Sequence, residues 1–177
     1  MSGEERVVPR VVGSANVGTL SEFLSERAEQ ARAVPSNRGA ILTEWRGAVD
    51  ALLDQMIGWL KEADTHHLLG IERTTHDIRE PRLGTYTVPG LRVGFGSRAI
   101  HVEPIARFPI GSMVGDSLGQ SLRGGRVDLR NLGQRYMIYR KVEADGSMRW
   151  IIVDDRDYRE NPFDREHFEE AVKSLLE

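Results

Sequence analysis

The 177-residue sequence contains no cysteine, and only three of its 24 basic residues are lysine. The absence of cysteine excludes a disulfide scaffold, a thiolate zinc site and a cysteine nucleophile. Its apolar runs are a few residues long, far below the roughly 18 that cross a bilayer, so we expect no membrane span. No basic start followed by an apolar block is present, and we therefore expect no secretory signal and a cytoplasmic protein.

Charge is distributed unevenly along the chain, although the net charge is only −3. Residues 1–81 carry a net charge of −4, residues 82–149 carry +6, and residues 150–177 carry −5. The basic middle is a candidate for binding nucleic acid or another polyanion through phosphate contacts, and the acidic tail is a candidate to neutralise it. The anion-binding candidates are Arg92, Arg98, Arg107, Arg123, Arg126, Arg130, Arg135 and Arg140.

The N-terminal part is predicted to be helical after a mobile tail at residues 1–18. Thr19-x-x-Glu22 has the spacing of a capping box, in which each side chain accepts a hydrogen bond from the other residue's free backbone N–H. A first helix should therefore begin at Thr19. We assign residues 19–64 to a helical segment of two helices.

The second helix of this segment is predicted to be long, from Ser36 to about Ala63. Its apolar residues recur at alternating spacings of three and four, the pattern of a helix that packs along its whole length against another element. Packing within the chain and dimerisation both satisfy this pattern. The candidate interface residues are Leu42, Trp45, Val49, Leu52, Met56 and Trp59.

From residue 67 onward the apolar period changes from 3.6 towards 2, which is typical of β-strands. Asp145-Gly146 suits a two-residue hairpin turn, and such a turn would place Ile138 opposite Val153. Asp164 is the predicted N-cap of a C-terminal helix. The strand candidates are residues 68–74, 84–88, 91–95, 99–105, 126–130, 135–143 and 148–155.

Together these patterns predict an α+β fold. It has two N-terminal helices, of which the second is long, an antiparallel sheet of about five to six strands, and one C-terminal helix. We expect the sheet and the last helix, residues 67–177, to form one domain with residues 19–64.

One short motif indicates hydrolase chemistry. The segment Gly115-Asp116-Ser117-Leu118-Gly119 has the glycine-x-serine-x-glycine pattern of a nucleophile elbow, and Asp164 precedes His167 by three residues. These two elements resemble those of the GDSL (SGNH-type) hydrolases. The resemblance implies Ser117 as nucleophile, His167 as general base and Asp164 as its orienting acid. It covers two tetrapeptides, and the family's glycine-x-asparagine-aspartate block has no counterpart here.

The histidines show no metal-ligand spacing. His101 and Glu103 lie two apart on a predicted strand and share a face, but a metal site there needs a third ligand from elsewhere. We expect no metal and no cofactor. Without a complete catalytic set, the sequence favours a non-enzymatic interaction or regulatory protein that binds a protein partner or a second copy. Nucleic-acid or polyanion binding is the first alternative, and a GDSL-like serine hydrolase is the second.

Overall fold

The computed structural model describes residues 19–32, 37–108 and 124–177. The predicted tail at residues 1–18, Ser117 and Arg123 lie outside these ranges. The described elements are α1 (Leu20–Arg32), α2 (Arg38–Ala63), β1 (Leu69–Glu80), β2 (Gly84–Phe95), β3 (Arg98–Ala106), β4 (Arg126–Arg130), β5 (Arg135–Val142), β6 (Met148–Asp154), β7 (Glu160–Pro162) and α3 (Arg165–Leu176).

The chain divides into two compact units, residues 1–33 and residues 34–177. Helix α1 belongs to the first unit. The capping box predicted for it is confirmed, since the N–H of Thr19 donates to the Glu22 carboxylate at 2.7 Å and the N–H of Glu22 donates to the Thr19 hydroxyl at 3.2 Å. These bonds satisfy two of the backbone donors that a helix start leaves free.

The second unit contains one antiparallel sheet in which the strands follow their sequence order from β1 to β7. The predicted α+β class is confirmed, whereas the predicted count of five to six strands is too low. Strand β7 has three residues, too few to show a periodic pattern. Strand β2 continues through Pro89-Gly90, so the predicted break between strands at residues 84–88 and 91–95 is wrong.

The hairpin between β5 and β6 differs in register from the prediction. Ile138 lies opposite Ile152 rather than Val153. The loop is longer than two residues, because the N–H of Glu143 donates to the carbonyl of Ser147 at 2.8 Å, and Gly146 takes a φ of 81°. A glycine in this left-handed conformation is typical of a three-residue hairpin loop, which shifts the pairing by one residue.

Helices α2 and α3 cover one face of the sheet and form the main core with it. Trp45 of α2 is fully buried and packs against Trp150 of β6 with ring centroids 6.2 Å apart. Gly125 makes this packing possible, because a Cβ at this position would overlap the Trp45 ring and its φ is +125°. Among the described residues, no helix is long and apolar enough to cross a membrane.

The C-terminal helix begins where the sequence predicts. The carboxylate of Asp164 accepts a hydrogen bond from the N–H of His167 at 3.0 Å. Buried Phe168 and Leu175 of α3 join the core, and Trp59 of α2 lies 5.6 Å from the Phe168 ring centroid.

Candidate functional site

The apolar stripe of α2 faces the chain's own sheet. Its members Leu42, Trp45, Val49, Leu52 and Met56 are buried in the main core, and Trp59 is partly buried against it. Of the two alternatives that the spacing left open, the structure shows packing within the chain. The interface role assigned to these six residues therefore lacks an exposed surface on α2.

The arginine candidates for anion binding already have partners within the chain. Arg92 faces Glu72, Arg107 and Arg140 face Glu44, and Arg98 donates to the carbonyl of Leu176. Arg126, Arg130 and Arg135 pair with carboxylates on their own or neighbouring strands. Arg123 lies outside the described residues. This pairing places the positive charge of the middle segment beside carboxylates rather than on an open basic surface.

The densest of these pairings lies on the sheet face opposite the helices. Asp128 is only 3% exposed and accepts two hydrogen bonds from Arg126, at 2.7 and 2.8 Å. Arg135 approaches Asp128 at 3.8 Å and donates to Asp155 at 2.9 Å. Buried carboxylates are stable when their oxygens accept charged hydrogen bonds in this way. We therefore assign this network a structural role.

A second buried carboxylate joins the end of β1 to the end of β3. Glu80 is 6% exposed and accepts hydrogen bonds from the N–H groups of Arg107 and Phe108 at 2.7 and 2.8 Å, and also from the Tyr86 hydroxyl. Burial, and then the hydrogen bond to the Glu80 carboxylate and its charge, raise the pKa of the Tyr86 hydroxyl.

Two members of the hydrolase-like set lie together. The Nδ1 atom of His167 is 2.8 Å from the Asp164 carboxylate, and the same carboxylate caps α3. The backbone N–H of His167 and then its side chain hold the pKa of Asp164 below its usual value. Ser117 lies outside the described residues, so the contact to a nucleophile that the resemblance implies stays a prediction.

His101 and Glu103 share one face of β3, as predicted. Glu103 is engaged by Arg130, whose Nε and Nη2 atoms donate to its two oxygens at 2.7 and 3.0 Å. This contact lowers the pKa of Glu103. Within residues 19–32, 37–108 and 124–177, no three side chains of metal-ligating type come together.

A cavity of about 690 Å³ lies where the β4–β5 turn meets the end of α3. Its polar lining is largely engaged within the chain. Asn131 donates to the carbonyl of Leu175 at 2.7 Å, Gln134 donates to the hydroxyl of Ser174 at 2.9 Å, and Arg130 holds Glu103. The cavity therefore offers a ligand few free polar groups.

The edges of the sheet offer a clearer site. Strand β7 has three residues and ends in Pro162. Strand β2 pairs with β3 only along Leu91–Phe95. Before Leu91, two arginines of α2 donate hydrogen bonds to backbone carbonyls on this side of the chain. Arg38 donates to the carbonyls of Leu83 and Thr85 at 2.7 and 3.4 Å, and Arg46 donates to the carbonyl of Thr87 at 2.8 Å.

Strand β1 forms the other outer edge, with 12 residues and no strand beyond it in the part of the chain that the structure describes. The direction in which its N–H and C=O groups point follows from its pairing with β2. The carbonyls of Thr85 and Thr87 point to the arginines, away from β1. In an antiparallel pair such residues and those opposite them direct their N–H and C=O groups away from each other. Asp77 and Arg79, opposite Thr87 and Thr85, therefore direct theirs to the free side of β1.

Comparison of the chain with known protein families, with curated proteins and with solved structures finds no match in any of the three. Function must therefore be argued from the geometry of the chain itself.

The charge and periodicity patterns of the sequence do not indicate the residues that define this edge. Arg38, Arg46 and Arg79 lie outside the basic middle segment, and the strand predicted at residues 68–74 stops before Asp77 and Arg79. In the structure, Thr74, His76, Ile78 and Glu80 are less exposed than the residues between them. Of these four residues only Ile78 is apolar, so the sequence has no apolar period of two that would extend the predicted strand to Glu80.

Proposed function

We propose that this protein is a non-enzymatic interaction protein that binds its partner by strand addition at the free edge of β1. The observation that carries the proposal is a difference in how the outer backbone groups of β7, β2 and β1 are covered. Strand β7 is short and ends in proline, and arginines of α2 bind the carbonyls of the free part of β2. Strand β1 has 12 residues, and beyond Leu69, whose N–H donates to the Asp64 carboxylate at 2.8 Å, no described strand covers its outer side. Exposed strand edges recruit further strands through their unpaired backbone groups.

The location in the cytoplasm remains part of this proposal, and it rests on the composition of the sequence. A regulatory role would follow if the bound partner were inactive while its segment is held at β1. The apolar stripe of α2 does not serve as the binding surface in this account, because it is buried.

The proposal is tested with extended peptides. A random peptide library is displayed and selected against the full chain, and the selected peptides are then assayed by fluorescence anisotropy against three proteins: the natural chain, Thr75→Pro and Thr75→Ala. Thr75 lies opposite Pro89, so its N–H points to the free side. We expect Thr75→Pro to abolish binding, since proline lacks that N–H, and Thr75→Ala to retain it.

Equal binding of the selected peptides to Thr75→Pro would place the binding surface elsewhere and contradict the proposal. The hydrolase alternative is tested separately with a fluorophosphonate probe. Labelling that disappears in Ser117→Ala would establish a nucleophilic serine and an enzymatic function instead.

A further inference from the structure

Arg79 differs from the other basic side chains of the strands. Each of the others forms an ion pair or a hydrogen bond, from Arg73, which bridges Asp50 and Asp54 of α2, to Arg149, which pairs with Glu143. Arg79 is exposed and has no such partner among the described residues. It lies on β1, an outer strand with no strand beyond it among the described residues.

Asp77 lies two residues from Arg79 on the same side of β1, and it is also exposed. One of its carboxylate oxygens accepts a hydrogen bond from the Thr87 hydroxyl at 2.7 Å. Its second oxygen accepts none from the described residues. The edge thus presents one acidic and one basic side chain on either side of Ile78.

We propose that the occupant of the β1 edge is a second copy of this chain, paired antiparallel about a two-fold axis at Ile78. This inference rests on the proposed strand addition. Such an axis places Asp77 of each copy opposite Arg79 of the other, so two ion pairs form across the new strand pair. The same two residues direct their backbone groups outward, so the register that pairs the charges also forms backbone hydrogen bonds.

The end of β1 restricts the choice of register. The strand ends at Glu80, so an axis at Ile78 places residues 76–80 of each copy opposite residues 80–76 of the other. Moving the axis by one residue to Asp77 would place the two Asp77 carboxylates opposite each other, which is unfavourable.

The experiment exchanges the two charges. Asp77→Arg gives a copy with two basic residues at the edge, and Arg79→Asp gives a copy with two acidic residues. In analytical ultracentrifugation we expect the natural chain to dimerise, and each variant alone to show a dimer dissociation constant raised at least about tenfold. An equimolar mixture of the two variants should dimerise again, because both cross-pairs then join opposite charges. The double variant, in which the charges are swapped, should also recover.

Arg159→Asp is the matched control, because Arg159 is exposed, forms no side-chain ion pair or hydrogen bond within the described residues, and lies near β7 rather than β1. It should leave the dimer unchanged. Circular dichroism should show that every variant retains its fold.

Two results would overturn the inference. One is a natural chain that stays monomeric at all concentrations, and the other is a mixture of the variants that does not associate. Strand addition itself is judged separately. If the selected peptides still lose binding in Thr75→Pro, the edge binds another protein rather than a second copy, and if they do not, both proposals are wrong.

Discussion

The two outer sides of the β1–β2 hairpin differ in which groups form hydrogen bonds with their backbone. On the β2 side, Arg38 and Arg46 of α2 donate to three successive outward carbonyls, and the long helix thereby takes the place of a neighbouring strand. On the β1 side, only the N–H of Leu69 is bound in this way among the described residues, by the carboxylate of Asp64 at the end of α2, and no described strand lies beyond β1. Proteins commonly block their sheet edges because open edges lead to aggregation. The proposal of strand addition rests on this difference between the two sides within the described residues.

The largest expected effect concerns the helix that covers the β2 side. Trp45→Ala should lower the free energy of unfolding by about 3–5 kcal/mol, because the indole is fully buried between α2, Gly125 and Trp150. Denaturant unfolding followed by circular dichroism measures this change. Leu132→Ala, at a fully exposed turn residue, is the control and should stay within about 0.5 kcal/mol of the natural chain. A small effect at Trp45 would mean that α2 is loosely held.

The next largest effect separates the inward from the outward backbone groups of β1. Thr74→Pro should destabilise the fold by about 2–3 kcal/mol, since the N–H of Thr74 faces Gly90 and proline removes that hydrogen bond. Thr75→Pro should cost less than about 1 kcal/mol, since its N–H faces outward. Thermal unfolding of the monomer at low concentration compares the two. Equal destabilisation by both prolines would show that the edge of β1 is engaged within the chain.

A smaller effect is expected from the arginines that cover β2. Arg46→Met should lower stability by about 1–2 kcal/mol, because the carbonyl of Thr87 loses a charged donor that water replaces only in part. The newly open edge should also increase aggregation, which light scattering during storage detects. Lys61→Met is the control on the same helix, since Lys61 is exposed and forms no ion pair within the described residues. Unchanged scattering in Arg46→Met would contradict a protective role.

The smallest effect tests the ion pairs of the sheet surface. Arg130 lowers the pKa of Glu103 in the folded state, so this carboxylate stabilises the fold above its unfolded pKa and loses that contribution as the pH falls through the folded value. Glu103→Gln should be less stable than the natural chain by about 1 kcal/mol at pH 7, and this difference should vanish at low pH. Urea unfolding between pH 7 and pH 2 measures it. A difference that does not change with pH would assign the effect to packing.

Much of the fold could be predicted from the sequence because its signals are local. The capping box at Thr19, the cap at Asp164 and the apolar stripe of α2 each reflect interactions within a few residues or along one helix. The break predicted at Pro89 was wrong because the loss of an N–H matters only where that N–H has a partner. Pro89 lies opposite Thr75 with its backbone groups directed away from β1, and its pairing with β3 has not yet begun.

The candidate site could not be predicted in the same way. Whether an arginine is available depends on which carboxylate approaches it from a distant part of the chain, as Glu44 approaches Arg140. The charge sums of segments therefore indicated a basic surface that pairing neutralises. Arg79, which lies in an acidic segment, is the basic strand residue that pairing within the described chain leaves over.

Hydrogen exchange of individual backbone amides in the full chain tests the central claim most directly. At concentrations low enough to keep the chain monomeric, the amides of Thr75, Asp77 and Arg79 should exchange rapidly, while those of Thr74, His76 and Ile78 stay protected by β2. Slow exchange at all six positions under these conditions would show that the edge of β1 is covered within the chain, and the account of strand addition would then be wrong.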